Sequence, residues 1–347
     1  MRVSKTLLSL VTGLLALVVL QSCKKDVPGK QSSAYPEILV LFSPDGLGDM
    51  GYNDEVLRGI ELFMNEKDMD FYISFMAPTD YEIAEFLIRT WWEEKDAATA
   101  EDGTVPRKLL LLADSGYADI ARKVMKASEI TIDLSVLAFE TEAPEDASEP
   151  YHTFEFSMYG ASWLAAKTAR ALGCTRPLVL LGDGANTTLH DGRDGFVDGF
   201  QGEVPVEALA YDWQGYCMPM EAYQQMYDYA PRHDFIFSIS GGSNMGIYRY
   251  LRENPDCGVF TAGMDTDQSP YSTLIVGSLV KRIDLVLHKY LCDWYKRVEV
   301  PNHQYFGLES GYIDWSIPER YKYLRPTIDA LRQEAIQKEN AYEKVRN

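Results

Sequence analysis

The sequence predicts an α/β protein made of two doubly wound lobes that face each other across a central cleft. Three observations lead to that class. Compact apolar runs (ILVLF at 38–42, LLLLA at 109–113, FIFSI at 235–239) alternate with segments of helical period. The alternation stops at an acidic loop, TEAPEDASEP at 141–150, and then starts again. The apolar runs also end repeatedly in small or acidic residues, as strand ends do when several of them converge on one polar ligand. Alternation of this kind implies parallel sheets with helices on both faces.

The elements follow in order. Residues 38–42 are a strand, and Val56, Ile60 and Phe63 then fall at i, i+4 and i+7, one face of a helix. FYISF at 71–75 precedes a helix over 81–92, and 109–113 precedes another over 117–125. ITIDL and SVLAF, at 130–139, close the first half. In the second half a helix covers about 157–172, LVLLG at 178–182 is a strand, and 194–201 is helical. The strand at 235–239 leads to a helix over 244–253, GVFTA at 258–262 is another strand, and a long helix covers roughly 274–295. Lobe I is expected over 36–150, completed by about 265–300, and lobe II over 151–262, completed by about 305–347.

The first 22 residues have the layout of a lipoprotein signal peptide. Arg2 and Lys5 precede an apolar run from Leu7 to Leu20, and Ser22 stands just before Cys23. The run is about 14 residues long, where a helix needs about 20 to cross a bilayer. Cleavage before Cys23 would leave that cysteine to carry the lipid, with 24–35 (KKDVPGKQSSAY) as a flexible tether. The working part of the chain is then extracytoplasmic, on a membrane surface. A net charge of -19 over 347 residues argues against a nucleic-acid binder, which would concentrate Lys and Arg. Cys174, Cys217, Cys257 and Cys292 show no CxxC spacing. An oxidising compartment would permit two disulfides, among whose three connectivities the sequence does not choose, and buried free thiols are the better reading. His152, His190, His233, His288 and His303 show no HExxH or close pairing, so no metal site is visible. No GxSxG nucleophile elbow supports an exported enzyme.

The ligand-facing strand ends are Ser43-Pro44-Asp45, Asp114-Ser115-Gly116, Gly182-Asp183-Gly184, Ser240-Gly241-Gly242 and Gly263-Met264-Asp265. Gly46-Leu47-Gly48-Asp49-Met50-Gly51 matches the dinucleotide pattern GxGxxG, with Asp68 and Asp70 about 20 residues on. Asp45, Asp49 and Asp54 crowd that turn and would repel a pyrophosphate at the helix start, so no cofactor is expected. The same carboxylates suit a neutral, hydroxyl-rich ligand, because an ionised Asp accepts two hydrogen bonds from a vicinal diol. Tyr52 offers a flat apolar face for a ring, and the Asn53 amide both donates and accepts. The pair reads as sugar plus aromatic base; the other reading is that Tyr52 and Asn53 staple and cap the helix start.

The motifs resemble one family. Residues 42–59 (FSPDGLGDMGYNDEVLRG) resemble the first motif of the basic membrane protein family, the PnrA-like lipoproteins that bind substrate for nucleoside ABC importers. Asp194-Gly195-Phe196 to Gly199, DFIFSISGGSNMG at 234–246, GMDTDQ at 263–268, SLVKRID at 278–284 and Gly307-Leu308 match further motifs in order. The resemblance covers most of 38–315, and GMDTDQ followed by SLVKRID is its most specific part.

It implies a type I periplasmic-binding fold: two Rossmann-like lobes, joined by three crossover segments, closing on a nucleoside, a purine nucleoside first. On that resemblance Tyr52 stacks the base, Asn53 contacts the ligand, Asp45 and Asp49 fill acidic positions, and Asp265 and Lys281 serve the ribose side. Gly241 and Gly242 would bring backbone close to the ligand. Trp213 is the expected second aromatic wall, with Phe196 as the other candidate. The family's Lys-Ser is Met50-Gly51 here, and Tyr52 replaces Phe, which bears on purine preference more than on fold. The implied partners are a small nucleoside-like solute, an ABC permease and the lipid bilayer, with the chain a monomer and not an enzyme. The alternatives are the same fold binding another sugar-like or heteroaromatic solute, a surface sensor or adhesin, and, more distantly, an exported α/β enzyme.

Overall fold

The computed structural model describes residues 35–93, 107–125, 133–142 and 151–346. The signal segment, Cys23, the tether up to Ala34 and most of the acidic loop lie outside the described residues. The first sheet contains β1 (Glu37–Phe42), β2 (Tyr72–Met76), β3 (Lys108–Ala113), β4 (Leu134–Phe139), β5 (Tyr151–Phe156) and, from late in the chain, β11 (His303–Phe306). The second contains β6 (Pro177–Asp183), β7 (Val206–Ala210), β8 (Phe235–Ile239), β9 (Phe260–Asp265), β10 (Ile275–Lys281) and β12 (Ile313–Ser316). The orders are β11-β5-β4-β3-β1-β2 and β12-β10-β9-β8-β6-β7, the same winding twice. All pairings are parallel except β12 against β10.

Successive strand residues point to opposite faces, so each apolar run feeds two cores. Ile38, Val40 and Phe42 pack with Val56, Ile60 and Phe63 of α1 (Tyr52–Met64). Leu39 and Leu41 pack instead with Ala84 and Ile88 of α2 (Tyr81–Glu93) and Ala121 and Val124 of α3 (Tyr117–Met125). In the second sheet Val179 and Leu181 face Trp163 of α4 (Tyr159–Ala171) and Phe196 of α5 (His190–Phe200). Leu178 and Leu180 face Met226 of α6 (Pro219–Tyr229) and Leu251 of α7 (Asn244–Glu253). Each such side chain, fully buried, stabilises by about 1.5–3 kcal/mol, which is why four or five apolar residues in a row suffice to fix a strand here.

The chain crosses between lobes three times. After β5 it enters α4, which packs on α5. After β10 it returns through α8 (Ile283–Tyr295), which packs on α1. Finally β11 leads to β12, followed by the short α9 (Arg325–Asp329) and α10 (Arg332–Arg346). One side chain of α10 ties two of these crossings. The buried Glu339 carboxylate accepts from the Gly160 N–H at 3.0 Å and the Leu308 N–H at 2.7 Å, and burial pushes its pKa up to about 7.

Three expectations need correction. Tyr151–Phe156 pairs in the first sheet although it lies beyond the expected lobe boundary, because β5 is the strand from which the first crossing departs. The long helix expected over 274–295 is the strand β10 followed by α8, with Arg282 (φ -89°, ψ 55°) between them. Nearly every residue of β10 is buried, so its sequence lacks the two-residue alternation that would mark a strand. The four downstream cysteines are free, but Cys217 is exposed and Cys257 half-buried; only Cys174 and Cys292 are buried thiols.

The α4–α5 contact depends on missing side chains. A Cβ at Gly195 would fall on the Tyr159 carbonyl, and one at Gly199 would lie 2.6 Å from the Trp163 oxygen. Gly199→Ala is expected to force the helices apart and to destabilise the protein by about 1–3 kcal/mol. Urea denaturation measures it directly, and an unchanged midpoint would mean the helices yield freely at this point.

Candidate functional site

The carboxyl ends of the two sheets face each other, and the loop after β1 shows how such an end is built. Asn53 is fully buried and its amide is used entirely within this loop. Its Oδ1 accepts from the Ser43 N–H (3.1 Å), and its Nδ2 donates to Ser43 Oγ (2.8 Å), Asp45 Oδ1 (2.9 Å) and the Gly46 carbonyl (2.9 Å). Ser43 Oγ also donates to Asp45. Asp49 accepts from the N–H groups of Gly51 (3.0 Å) and Asn53 (2.8 Å), so its carboxylate fills the N-terminus of α1. A dinucleotide's pyrophosphate would need that same place. Asn53 therefore positions Asp45, and Asp49 anchors the helix. Of the two readings the sequence left open for Asn53, ligand contact or capping of the helix start, the amide's own bonds show neither; they organise the loop before the helix.

Around this loop the strand ends bring together Asp45, Asp114, Asp183, Asp265 and Glu140, whose charges bear on one another and on the tyrosines between them. Lys281 is the basic group among them. Its Nζ lies 2.7 Å from Glu140 Oε1 and 4.0 Å from Asp265 Oδ1. Burial disfavours the ammonium, but the Glu140 and Asp265 carboxylates outweigh that and hold its pKa above the ordinary lysine value. Burial raises Asp265 to about 6, with Lys281 opposing the rise and Glu140 and Asp45 adding to it. Burial likewise raises Asp114 and Asp49 to about 7. Glu140 (φ 51°) and Asp265 (φ 64°) both leave their strands in the left-handed region, at a cost of order 1–3 kcal/mol each. Lys281 ends β10, within the span where a long helix was expected.

Aromatic side chains wall this region. The Tyr52 hydroxyl is buried without a partner among the described residues, and Glu140, Asp114, Asp265 and Asp45 bear on it. Tyr81 donates to Asp114 Oδ1 (3.1 Å) and packs edge-on against Tyr117 at 5.7 Å. From lobe II, Tyr216 lies against Gly182 and Gly241, accepts from Asn186 Nδ2 (3.0 Å), and feels the Asp183, Asp114 and Asp45 charges. Trp213 is half-buried at the start of the 3-10 turn that ends with Tyr216. Phe196 is fully buried and stacks on Phe237 at 4.6 Å, so it belongs to the lobe II core and not to the cleft wall. Ser115 is half-buried beside Asp114, and its carbonyl accepts from the Ala118 N–H at the start of α3. A Cβ added at Gly242 would come within van der Waals reach of Asp49 across the cleft. The lobes touch directly: the Met50 carbonyl accepts from Gln268 Nε2 at 3.0 Å and Thr266 Oγ1 at 3.4 Å.

Sequence reasoning did not assign Glu140 or Tyr216 to the site. Glu140 is the residue after β4, where the acidic run seemed to begin, and the strand-end rule applied to SVLAF would have found it. Tyr216 had no signal beyond its nearness to Trp213.

No protein-family model matches the sequence, and no curated protein matches it. Solved structures do match. A solute-binding protein of an ABC transporter system from Aeropyrum pernix aligns over 89% of this chain and 86% of its own, with a TM-score of 0.65 and 16% identity. The two-lobed topology, aligned over that length, decides the fold. It is the type I periplasmic-binding-protein fold. A transcriptional activator of the comK gene from Bacillus halodurans shares it (TM-score 0.60, 15% identity, 86% of this chain and 98% of that one). So does a glucose-galactose binding protein from Geobacillus stearothermophilus (0.56, 14%, 82% and 98%). At these identities the likeness is one of fold. Among the described residues of this periplasmic-binding fold, no helix is long and apolar enough to cross a membrane.

The raised carboxyl groups make stability depend on pH. Asp114 titrates near 4 when unfolded and at about 7 when folded, so its stabilising contribution is complete below about pH 4 and is lost as pH rises through 7. Asp114→Asn keeps an oxygen for the Gly116 N–H and the Tyr81 hydroxyl but carries no charge. The variant is expected to gain on the order of 1 kcal/mol or more relative to wild type between pH 5 and pH 8. Urea melts at both values test this, and equal pH dependence in the two proteins would contradict it.

Proposed function

We propose that the chain is a lipid-anchored solute-binding protein of an ABC importer and captures a nucleoside between its lobes. The observation that carries this reading is Tyr52. Its ring sits beside carboxylates from both lobes, and its hydroxyl is a buried polar group without a partner among the described residues. Leaving such a group unsatisfied costs about 1–3 kcal/mol, which a ligand's polar edge would recover. Asp265 and Asp45 accept from sugar hydroxyls, Lys281 holds Asp265 in place, and Tyr52 and Tyr216, with Trp213 beside it, supply the faces for a base. Asn244 adds a buried amide donor without a partner among the described residues, at the head of α7.

The charge balance narrows the ligand class. Five carboxylates face one ammonium, so a phosphate would be repelled and a nucleoside is favoured over a nucleotide. A lipid on Cys23 would keep the protein beside its permease, with the tether as spacer. A sugar without a base is the second reading. The excess of carboxylates over aromatic faces favours it, and the glucose-galactose binding protein shares the fold.

Two substitutions separate these readings. Asp265→Ala is expected to lose about 2 kcal/mol or more of binding, because paired hydroxyls lose a charged acceptor. Tyr52→Ala is expected to weaken nucleoside binding by about 1–3 kcal/mol, as base–aromatic stacking does elsewhere, and to leave ribose unaffected. Calorimetric titration reads both. An unchanged nucleoside Kd in either variant removes that residue from the site, and equal losses for ribose and nucleoside in Tyr52→Ala favour the sugar reading.

A further inference from the structure

Far from the cleft, three side chains of metal-binding type meet on lobe I. His288 and Cys292 stand four residues apart on α8 and so share one face of that helix. Glu66 follows the C-terminus of α1, at the end of a 13-residue helix whose start lies in the cleft. At about 1.5 Å per residue that places it close to 20 Å away. His288 Nε2 is 2.9 Å from Glu66 Oε1 and 3.5 Å from Cys292 Sγ. All three ligand atoms lie within 4.8 Å of one another. The cysteine is 9% exposed, the histidine is half-buried and the glutamate is exposed.

We propose that Glu66, His288 and Cys292 form a binding site for a divalent transition-metal ion of the zinc class. Thiolate, imidazole and carboxylate are each zinc ligands, with bonds of about 2.3 Å to sulfur and about 2.0–2.2 Å to nitrogen and oxygen. A tetrahedral centre with those bonds separates sulfur from nitrogen by about 3.5 Å and nitrogen from oxygen by about 3.4 Å. The first spacing is present, and the second needs Glu66 to move outward by about half an ångström, which its exposed side chain permits. The thiolate and the carboxylate together neutralise a divalent ion. Water takes the fourth position.

Coordination replaces the Nε2 hydrogen bond to Glu66, so the imidazole keeps its hydrogen on Nδ1 and Nε2 supplies a lone pair. Cys292 releases its thiol proton to solvent. A bound ion would clamp the end of α1 to the middle of α8, the pair of helices on which lobe I depends for its return crossing.

The test is titration of the full chain with cobalt(II), which takes zinc sites and reports thiolate ligation by a near-ultraviolet charge-transfer band. The band is expected at one equivalent, with the visible bands of four-coordinate cobalt, and zinc should displace it. Cys292→Ser should abolish it without altering the circular dichroism. Glu66→Gln, a change at an exposed residue, should weaken zinc at least tenfold. No thiolate band in the wild type, or a band that survives Cys292→Ser and so comes from another of the chain's cysteines, overturns the site. Unaltered zinc affinity in Glu66→Gln overturns it as a three-ligand centre.

Discussion

The Lys281 ammonium, 6% exposed and held between Glu140 of lobe I and Asp265 of lobe II, is the contact on which the cleft depends. Several carboxylates at the strand ends would otherwise face one another with no counter-charge, and their pKa values are already raised. A buried ion pair adds little net stability, because desolvation offsets the Coulomb attraction, but removing one partner leaves a buried charge exposed to its neighbours at a cost of about 3–5 kcal/mol. The value of Lys281 is therefore geometric. It fixes two left-handed residues, Glu140 and Asp265, whose carboxylates leave opposite sheets and meet at one nitrogen.

On the proposed reading, that arrangement links the ligand to lobe closure. The Met50 carbonyl bonded by Gln268 and Thr266 belongs to the loop that Asp49 and Asn53 hold rigid, so closing the lobes brings a preformed loop against a preformed strand end. The crossings have their own brace in Glu339, which binds the first and third of them through single N–H groups. A ligand that contacts both lobes shifts the equilibrium by its extra contacts in the closed state, and by no more than that.

Much of this was legible in the sequence, for physical reasons that differ by element. The strands at 38–42, 109–113 and 235–239 are buried on both faces and stand out as apolar runs, and 117–125 and 244–253 carry clean helical periods. The strand ends advertised Asp45, Asp114 and Asp265 through their small and acidic residues. β10 was hidden because a doubly buried strand and a buried helix have the same composition. α10 carries little signal, since only Ala335, Ile336 and Glu339 of its fifteen residues are buried and one of those is a carboxylate. Asn53 could be read two ways because an amide that organises a loop and one that faces a ligand are identical in sequence. The Glu66–His288 pair spans 222 residues, so no local spacing announces it.

The central claim is that the acidic, tyrosine-walled cleft takes a nucleoside. A thermal-shift measurement with purine and pyrimidine nucleosides, their free bases, ribose and the matching 5′-monophosphates tests it most directly. A ligand at 100 times its Kd adds about 2.7 kcal/mol, a clear rise in melting temperature. The account predicts a rise with at least one nucleoside and none with its monophosphate. No rise with any nucleoside, or an equal rise with the monophosphate, would contradict it.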